Sequence, residues 1–142
     1  ITDGFNGPHS HYYDISIEEI EETNLKILAV NDRAGFFLLA TQELDLILFQ
    51  GHPEYDDKSL LKEYEREIKN YLTGQRPDYP EVPEHYFSDI TVNRLEEEKK
   101  NIINNKEFNS FDSSALESID LSWIETGVTL YKNWLSLLCK RK

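Results

Sequence analysis

A histidine and a glutamate two residues apart, His52 and Glu54, stand in the stretch Gly51-His52-Pro53-Glu54-Tyr55-Asp56, just after the apolar run Leu44–Phe49. Pro53 disfavours the α region for His52 and biases it toward an extended conformation. In an extended segment, side chains two residues apart point to the same side, so the imidazole and the carboxylate can converge. A carboxylate beside an imidazole fixes its tautomer and stabilises the imidazolium formed on proton uptake. An imidazole held in that way can activate a cysteine or serine nucleophile. The pattern is short, and a loop histidine beside a solvated glutamate is the competing local reading. Its place favours chemistry, because ligands of open α/β sheets gather beyond the carboxyl ends of strands.

Other side chains invite other chemistry. His9 and His11, taken with His52 and Glu54, supply the nitrogen and oxygen donors that zinc accepts. H-E-x-x-H or comparable spacing is missing, and we expect no metal. The one cysteine, Cys139, comes just before Lys140-Arg141-Lys142 and reads as a helix-end residue without a catalytic part. Tyr12, Tyr13, Trp123 and Trp134 read as core aromatics rather than as a ligand box.

The elements that must hold His52 and Glu54 follow from patterning. Residues 1–15 are irregular, with an extended stretch at Tyr12–Ile15, and Ser16 caps a short helix with Glu19 completing a capping box. Three short apolar runs, Leu25–Val30, Phe36–Thr41 and Leu44–Phe49, predict hairpin-like strands of one sheet. The third, apolar apart from Asp45, predicts a strand buried on both faces. Asp56 or Asp57 then caps a helix over 57–72, with the stripe Leu60, Leu61, Tyr64, Ile68 and Tyr71. Helices are also predicted over 91–104 and 121–138, with a polar, mobile segment at 105–114.

The totals set the frame. A chain of 142 residues has the size of one domain with one core, and the expectation is a single partial domain over 1–142. A formal charge of −12 argues against nucleic acid as a partner. No apolar run nears the ~20 residues that cross a bilayer, and Ile1–Pro8 lacks the features of a secretory signal. A single cysteine fits a reducing cytoplasm. The chain contains no methionine, which is expected of a piece that starts partway through a longer protein.

The stretch Gly51–Asp56, followed by Leu60/Leu61 and Glu63-Tyr64-Glu65-Arg66-Glu67, resembles the C-terminal half of the homoserine O-succinyltransferase family, also called homoserine transsuccinylase. That family reads G-H-P/S-E-Y-D, a leucine, then E-Y-x-R-D. Upstream, Asp3, Phe5 and Pro8-His9-Ser10 are similar to its D-x-F-x-x-P-H-S-R; downstream, Tyr86-Phe87 resembles its Y-F-P and Asn133-Trp134-Leu135 its N-W-L. The resemblance covers residues 3–88 and resumes near 122–136. It implies an α/β fold, the C-terminal part of a class I glutamine amidotransferase-like (flavodoxin-like) sandwich with a Cys-His-Glu triad. It further implies transfer of a succinyl or acetyl group from acyl-CoA to the hydroxyl of homoserine through an acyl-cysteine, in methionine or cysteine biosynthesis. No cofactor beyond that co-substrate is implied, and relatives are often homodimers. His52 would be the base and Glu54 its orienting partner, with Arg66, Glu63 and Ser10 holding the amino acid. A guanidinium can grip an α-carboxylate through two parallel hydrogen bonds. Without the family, Glu63–Arg66 is an exposed i,i+3 pair and Ser10 a turn serine.

The resemblance also has gaps. The family's nucleophile belongs to its N-terminal half, so the chain is expected to be a fragment without acyltransferase activity of its own. His11 stands in place of the arginine of P-H-S-R, Ser88-Asp89 follows Tyr-Phe where the family has P-x-N-D-P, and Trp123-Ile124-Glu125-Thr126 replaces W-R-S-H. Residues 90–120 read as a charged insertion. These departures leave serine beside homoserine as the acceptor, since one methylene discriminates only roughly 10–200-fold. A non-catalytic acyltransferase-like binding or regulatory module is the alternative from another class.

Overall fold

The computed structural model describes Gly4, residues 6–112 and residues 119–141. Asp3 and Phe5 of the upstream motif, and Ser113 and Ser114 at the end of the polar segment, lie outside the described residues. The chain forms two compact units, residues 1–54 with 122–142, and residues 55–121. Its elements are a mixture of helices and a three-stranded antiparallel sheet.

The first unit opens with α1, Ile17–Glu21. The Ser16 hydroxyl accepts the Glu19 N–H at 3.1 Å and the Glu19 carboxylate accepts the Ser16 N–H at 2.9 Å, the capping box that the sequence predicts. Strands β1 (Lys26–Asn31), β2 (Gly35–Ala40) and β3 (Ile47–Phe49) follow, ordered β1-β2-β3. The first turn closes because Asn31 Oδ1 accepts the N–H groups of Arg33 at 2.8 Å and Ala34 at 3.1 Å. Gly35, at φ 71°, supplies the left-handed residue there. The sheet pairs Lys26 with Ala40 and Leu38 with Phe49.

Strand β2 is buried from Phe36 to Ala40 because both of its faces are covered. Phe36 and Leu39 pack with Ile20 of α1, and Phe37 and Leu38 pack with Leu130 of α4, Ser122–Cys139. The far end of α4 is tied down by Trp134, whose Nε1–H donates to the Leu44 carbonyl at 2.8 Å.

The third strand corrects the prediction for 44–49. Only Ile47–Phe49 pairs, at the edge of the sheet, and Leu46 and Leu48 are exposed rather than buried on both faces. The Thr41 hydroxyl donates to the Asp45 carboxylate, Leu44 N–H to the Thr41 carbonyl, and Leu44 takes φ 57°. That turn consumes half of the apolar run. Tyr12 and Tyr13 form no strand and are 73% and 89% exposed, so they are not core, whereas Trp123 is buried.

In the second unit α2 spans Ser59–Leu72 and buries Leu61, Tyr64 and Ile68 of the expected stripe. Its N-cap is Lys58, without a side-chain cap; Asp56 instead accepts the Lys58 N–H at 3.0 Å and the Ser59 hydroxyl at 2.7 Å, two residues too early to cap the helix. Helix α3, Asp89–Asn105, starts two residues before the prediction, because Ser88 caps it by accepting the Thr91 N–H. The polar segment after α3 is anchored: Phe111 is buried, stacks on Tyr64 at 5.7 Å and donates its N–H to Glu65. Among the described residues no helix is long and apolar enough to cross a membrane.

Candidate active site

The chain leaves β3 through two main-chain bonds that bend it. The N–H groups of Gln50 and Gly51 both donate to the Phe37 carbonyl, at 3.1 and 3.4 Å, and Pro53-Glu54 then form a turn. The turn, rather than a continuing strand, brings the two side chains together. His52 Nδ1 lies 2.9 Å from Glu54 Oε1, with the imidazole 30% and the carboxylate 56% exposed. The ring is held firmly yet open to a reactant.

A second segment clamps the histidine. The His52 N–H donates to the Pro8 carbonyl at 2.8 Å, and His52 Nε2 lies 3.3 Å from the Ser10 carbonyl. Ser10 therefore meets the site through its main chain, where the resemblance implies a substrate contact. With Nδ1–H donated to Glu54, Nε2 becomes a donor to Ser10 only when the ring carries a second proton.

Two close approaches set the loop's position. A Cβ on Gly51 would stand 2.1 Å from the Phe37 ring, and one on Gly7 2.4 Å from it, so Phe37 fills the slot between both loops. Gly127 of α4 lets that helix reach Pro53, where a Cβ would sit 2.6 Å from the proline carbonyl. Phe37, Gly127 and the two loop carbonyls were not legible as site elements. Main-chain contacts leave no mark on residue type, and the only signal was a glycine inside an amphipathic helix.

His9 lies edge-on to Phe37 at 5.2 Å and to His11 at 5.6 Å, its Nδ1 buried. Burial first, then the neighbouring His11 and His52, hold its pKa below the ordinary 6.5, with Asp14 acting the other way. A histidine whose folded-state pKa is depressed binds its proton more readily in the unfolded chain, so stability falls as pH drops through 6.5. We expect the melting temperature to fall between about pH 7.5 and about pH 5.5, and His9→Gln to remove part of that fall. An identical pH profile for the variant would contradict this. Among the described residues no group of three or more His, Cys, Asp or Glu side chains is placed to hold a metal ion.

Arg66 and Glu63 come together in the second unit. Arg66 Nη1 is 3.7 Å from Glu63 Oε1, and Arg66 Nε bonds Glu67 Oε1 at 3.0 Å. Glu67 also accepts from Arg76 at 3.1 Å.

Cys139 is exposed at the end of α4. It lies twelve residues beyond Gly127, which meets the His52 loop, and so roughly 18 Å farther along the helix axis. Trp134 fixes that end of α4 beside Leu44, before β3, while His52 follows β3. The thiol and the imidazole occupy opposite ends of the sheet.

An imidazole with a carboxylate on one nitrogen and an accessible ring is an arrangement that can take up a proton while the carboxylate orients the ring. The family model described as Homoserine O-succinyltransferase matches residues 1–142. The chain is 39% identical over 141 residues to the homoserine O-succinyltransferase of Methylobacter tundripaludum, covering 95% of this chain and 40% of that protein. It is 37% identical over 141 residues to that of Methylococcus capsulatus, with the same shares of 95% and 40%. The Nitrosococcus oceani homoserine O-succinyltransferase is 37% identical over 137 residues, 92% of this chain and 38% of its own length. The chain belongs to the homoserine O-succinyltransferase family, and spans about 40% of the length of these relatives.

Proposed function

We propose that the chain supplies the base and the acceptor grip of an acyltransferase that moves a succinyl or acetyl group from acyl-CoA to the hydroxyl of homoserine or serine. The observation that carries this is the 2.9 Å contact between His52 and Glu54 on a loop clamped through Pro8 and Ser10. The nucleophile is a cysteine in the part of the family's length that this chain does not span, since Cys139 lies at the other end of the sheet. His52 Nε2 takes the thiol proton as sulfur attacks the thioester carbonyl, and that proton leaves with the thiol of coenzyme A. The acceptor hydroxyl then attacks the acyl-cysteine, its proton passing to His52 and on to the freed sulfur. Glu54 holds the ring and offsets its charge while it is protonated.

In this reading Arg66 takes the acceptor carboxylate and Glu63 its ammonium, and Ser10 is a further substrate contact while its carbonyl steadies the ring. The complete protein has the glutamine amidotransferase-like α/β sandwich, acts in the cytoplasm in methionine or cysteine biosynthesis, and forms a homodimer. Identity over nearly the whole chain to homoserine O-succinyltransferases supports the acceptor class.

The test is release of coenzyme A thiol from succinyl- or acetyl-CoA with homoserine or serine. The 142-residue chain alone is expected to give none above blank, and the chain joined to the rest of a family member to turn over. Turnover by the isolated chain would place the nucleophile within it and overturn the reading.

A further inference from the structure

We infer that His9 is a positioning residue for His52, holding the segment that clamps the base in place for as long as its own ring is uncharged. This rests on the reading above in which His52 is the base. Residues 7–10 alternate in what they meet. Gly7 and His9 meet the Phe37 ring: a Cβ on Gly7 would stand 2.4 Å from it, and the His9 imidazole lies edge-on at 5.2 Å. Pro8 and Ser10 present their carbonyls to His52, the first accepting its N–H at 2.8 Å and the second 3.3 Å from Nε2. His9 is thus the residue between the two main-chain groups that fix the base, and its seat on Phe37 sets where both of them lie.

Charge is what this seat does not accommodate. His9 Nδ1 is buried, with no hydrogen-bond partner among the described residues. A proton added there would bury an N–H of a cation without an acceptor. His11, 5.6 Å away, and His52 on the facing loop both oppose the charge, Asp14 favours it, and Phe37 of β2 brings no ionisable group. The cost is relieved when the His9 ring leaves Phe37, and Pro8 and Ser10, its immediate neighbours, are carried with it. Protonation of His52 works in the opposite sense, because Nε2 then donates to the Ser10 carbonyl. A clamp that acid loosens is therefore the signature of His9. A phenyl ring, which packs edge-on but takes no proton, is the substitute that keeps the clamp shut.

The experiment is hydrogen exchange of the His52 main-chain amide in the 142-residue chain, read by NMR as a protection factor at about pH 7.5 and about pH 5.5. In the opened segment His9 recovers its ordinary pKa of 6.5, so protection is expected to fall by up to about tenfold between the two. The amides of β2, which report opening of the whole unit, are expected to change less. His9→Phe is expected to hold the His52 protection within about twofold over that range, and His9→Ala to lower it at both ends. In the joined acyltransferase His9→Ala is expected to lower kcat for release of coenzyme A thiol by about 10–100-fold, the cost of a displaced catalytic group, and His9→Phe to recover most of that loss. The role given to His9 is wrong if acid leaves the wild-type protection unchanged, loosens β2 equally, or acts on His9→Phe as on the wild type. It is also wrong, while the role of His52 stands, if His9→Ala turns over like the wild type and His52→Asn does not. If His52→Asn also turns over like the wild type, the base reading fails and the role of His9 with it.

Discussion

His52→Asn is expected to lower kcat/KM of the joined acyltransferase by about 10²–10⁴-fold, the range removed with a positioned general base. Asparagine preserves a polar side chain beside Glu54 and the main-chain bond from residue 52 to the Pro8 carbonyl. It cannot take a proton from the thiol or the acceptor hydroxyl, so both half-reactions slow. The side chain is partly exposed, and the fold should survive with an unchanged circular dichroism spectrum and melting temperature. Steady-state release of coenzyme A thiol reads the effect. A loss below about tenfold in a folded variant would remove His52 from the role of base.

Phe37→Ala is expected to carry the largest cost in stability, about 3–5 kcal/mol by urea or guanidinium denaturation. The ring is 4% exposed, and it packs with Leu38 and Leu130 in the core between β2 and α4. It also occupies the slot between Gly7 and Gly51, neither of which has a side chain to fill the void. The same ring touches His9 and Phe49 edge-on, at 5.2 and 6.4 Å. Removing it empties the wall shared by the loop that carries His52 and the loop that clamps it. A cost under about 1 kcal/mol would mean that the loops are held by their main-chain bonds alone.

Much of this arrangement could be read before any coordinates. Ser16 and Glu19 announce α1 through chemistry that is local to four residues. The spacing of His52 and Glu54 about Pro53 foretold their contact, although a turn delivers it. The misreadings have a common physical origin in side chains that bond their own neighbourhood. Thr41 and Asp45 close a turn inside an apolar run, and Asp56 binds Ser59 before the helix instead of capping it. Tyr12 and Tyr13 are aromatic, yet both are largely exposed rather than core. The packing of Phe37 between Gly7 and Gly51 joins residues thirty and fourteen positions apart, a distance over which pattern carries no information.

The resemblance to a family supplied what local chemistry could not. His-x-Glu alone left a solvated loop as a strong competitor. Matching motifs in order over most of the chain made it resemble part of a triad, and similarity to homoserine O-succinyltransferases established the family. The geometry adds that the Ser10 carbonyl lies against the His52 ring.

The most direct test of the central claim is the mass of the acyl-enzyme. The chain is mixed with the remaining part of a family member as a separate polypeptide and given acyl-CoA without acceptor. Intact-mass analysis should find one acyl group on the complementary polypeptide and none on this chain, Cys139 included, with His52→Asn greatly slowing its formation. An acyl group on Cys139, formed at a rate that depends on His52, would contradict the account.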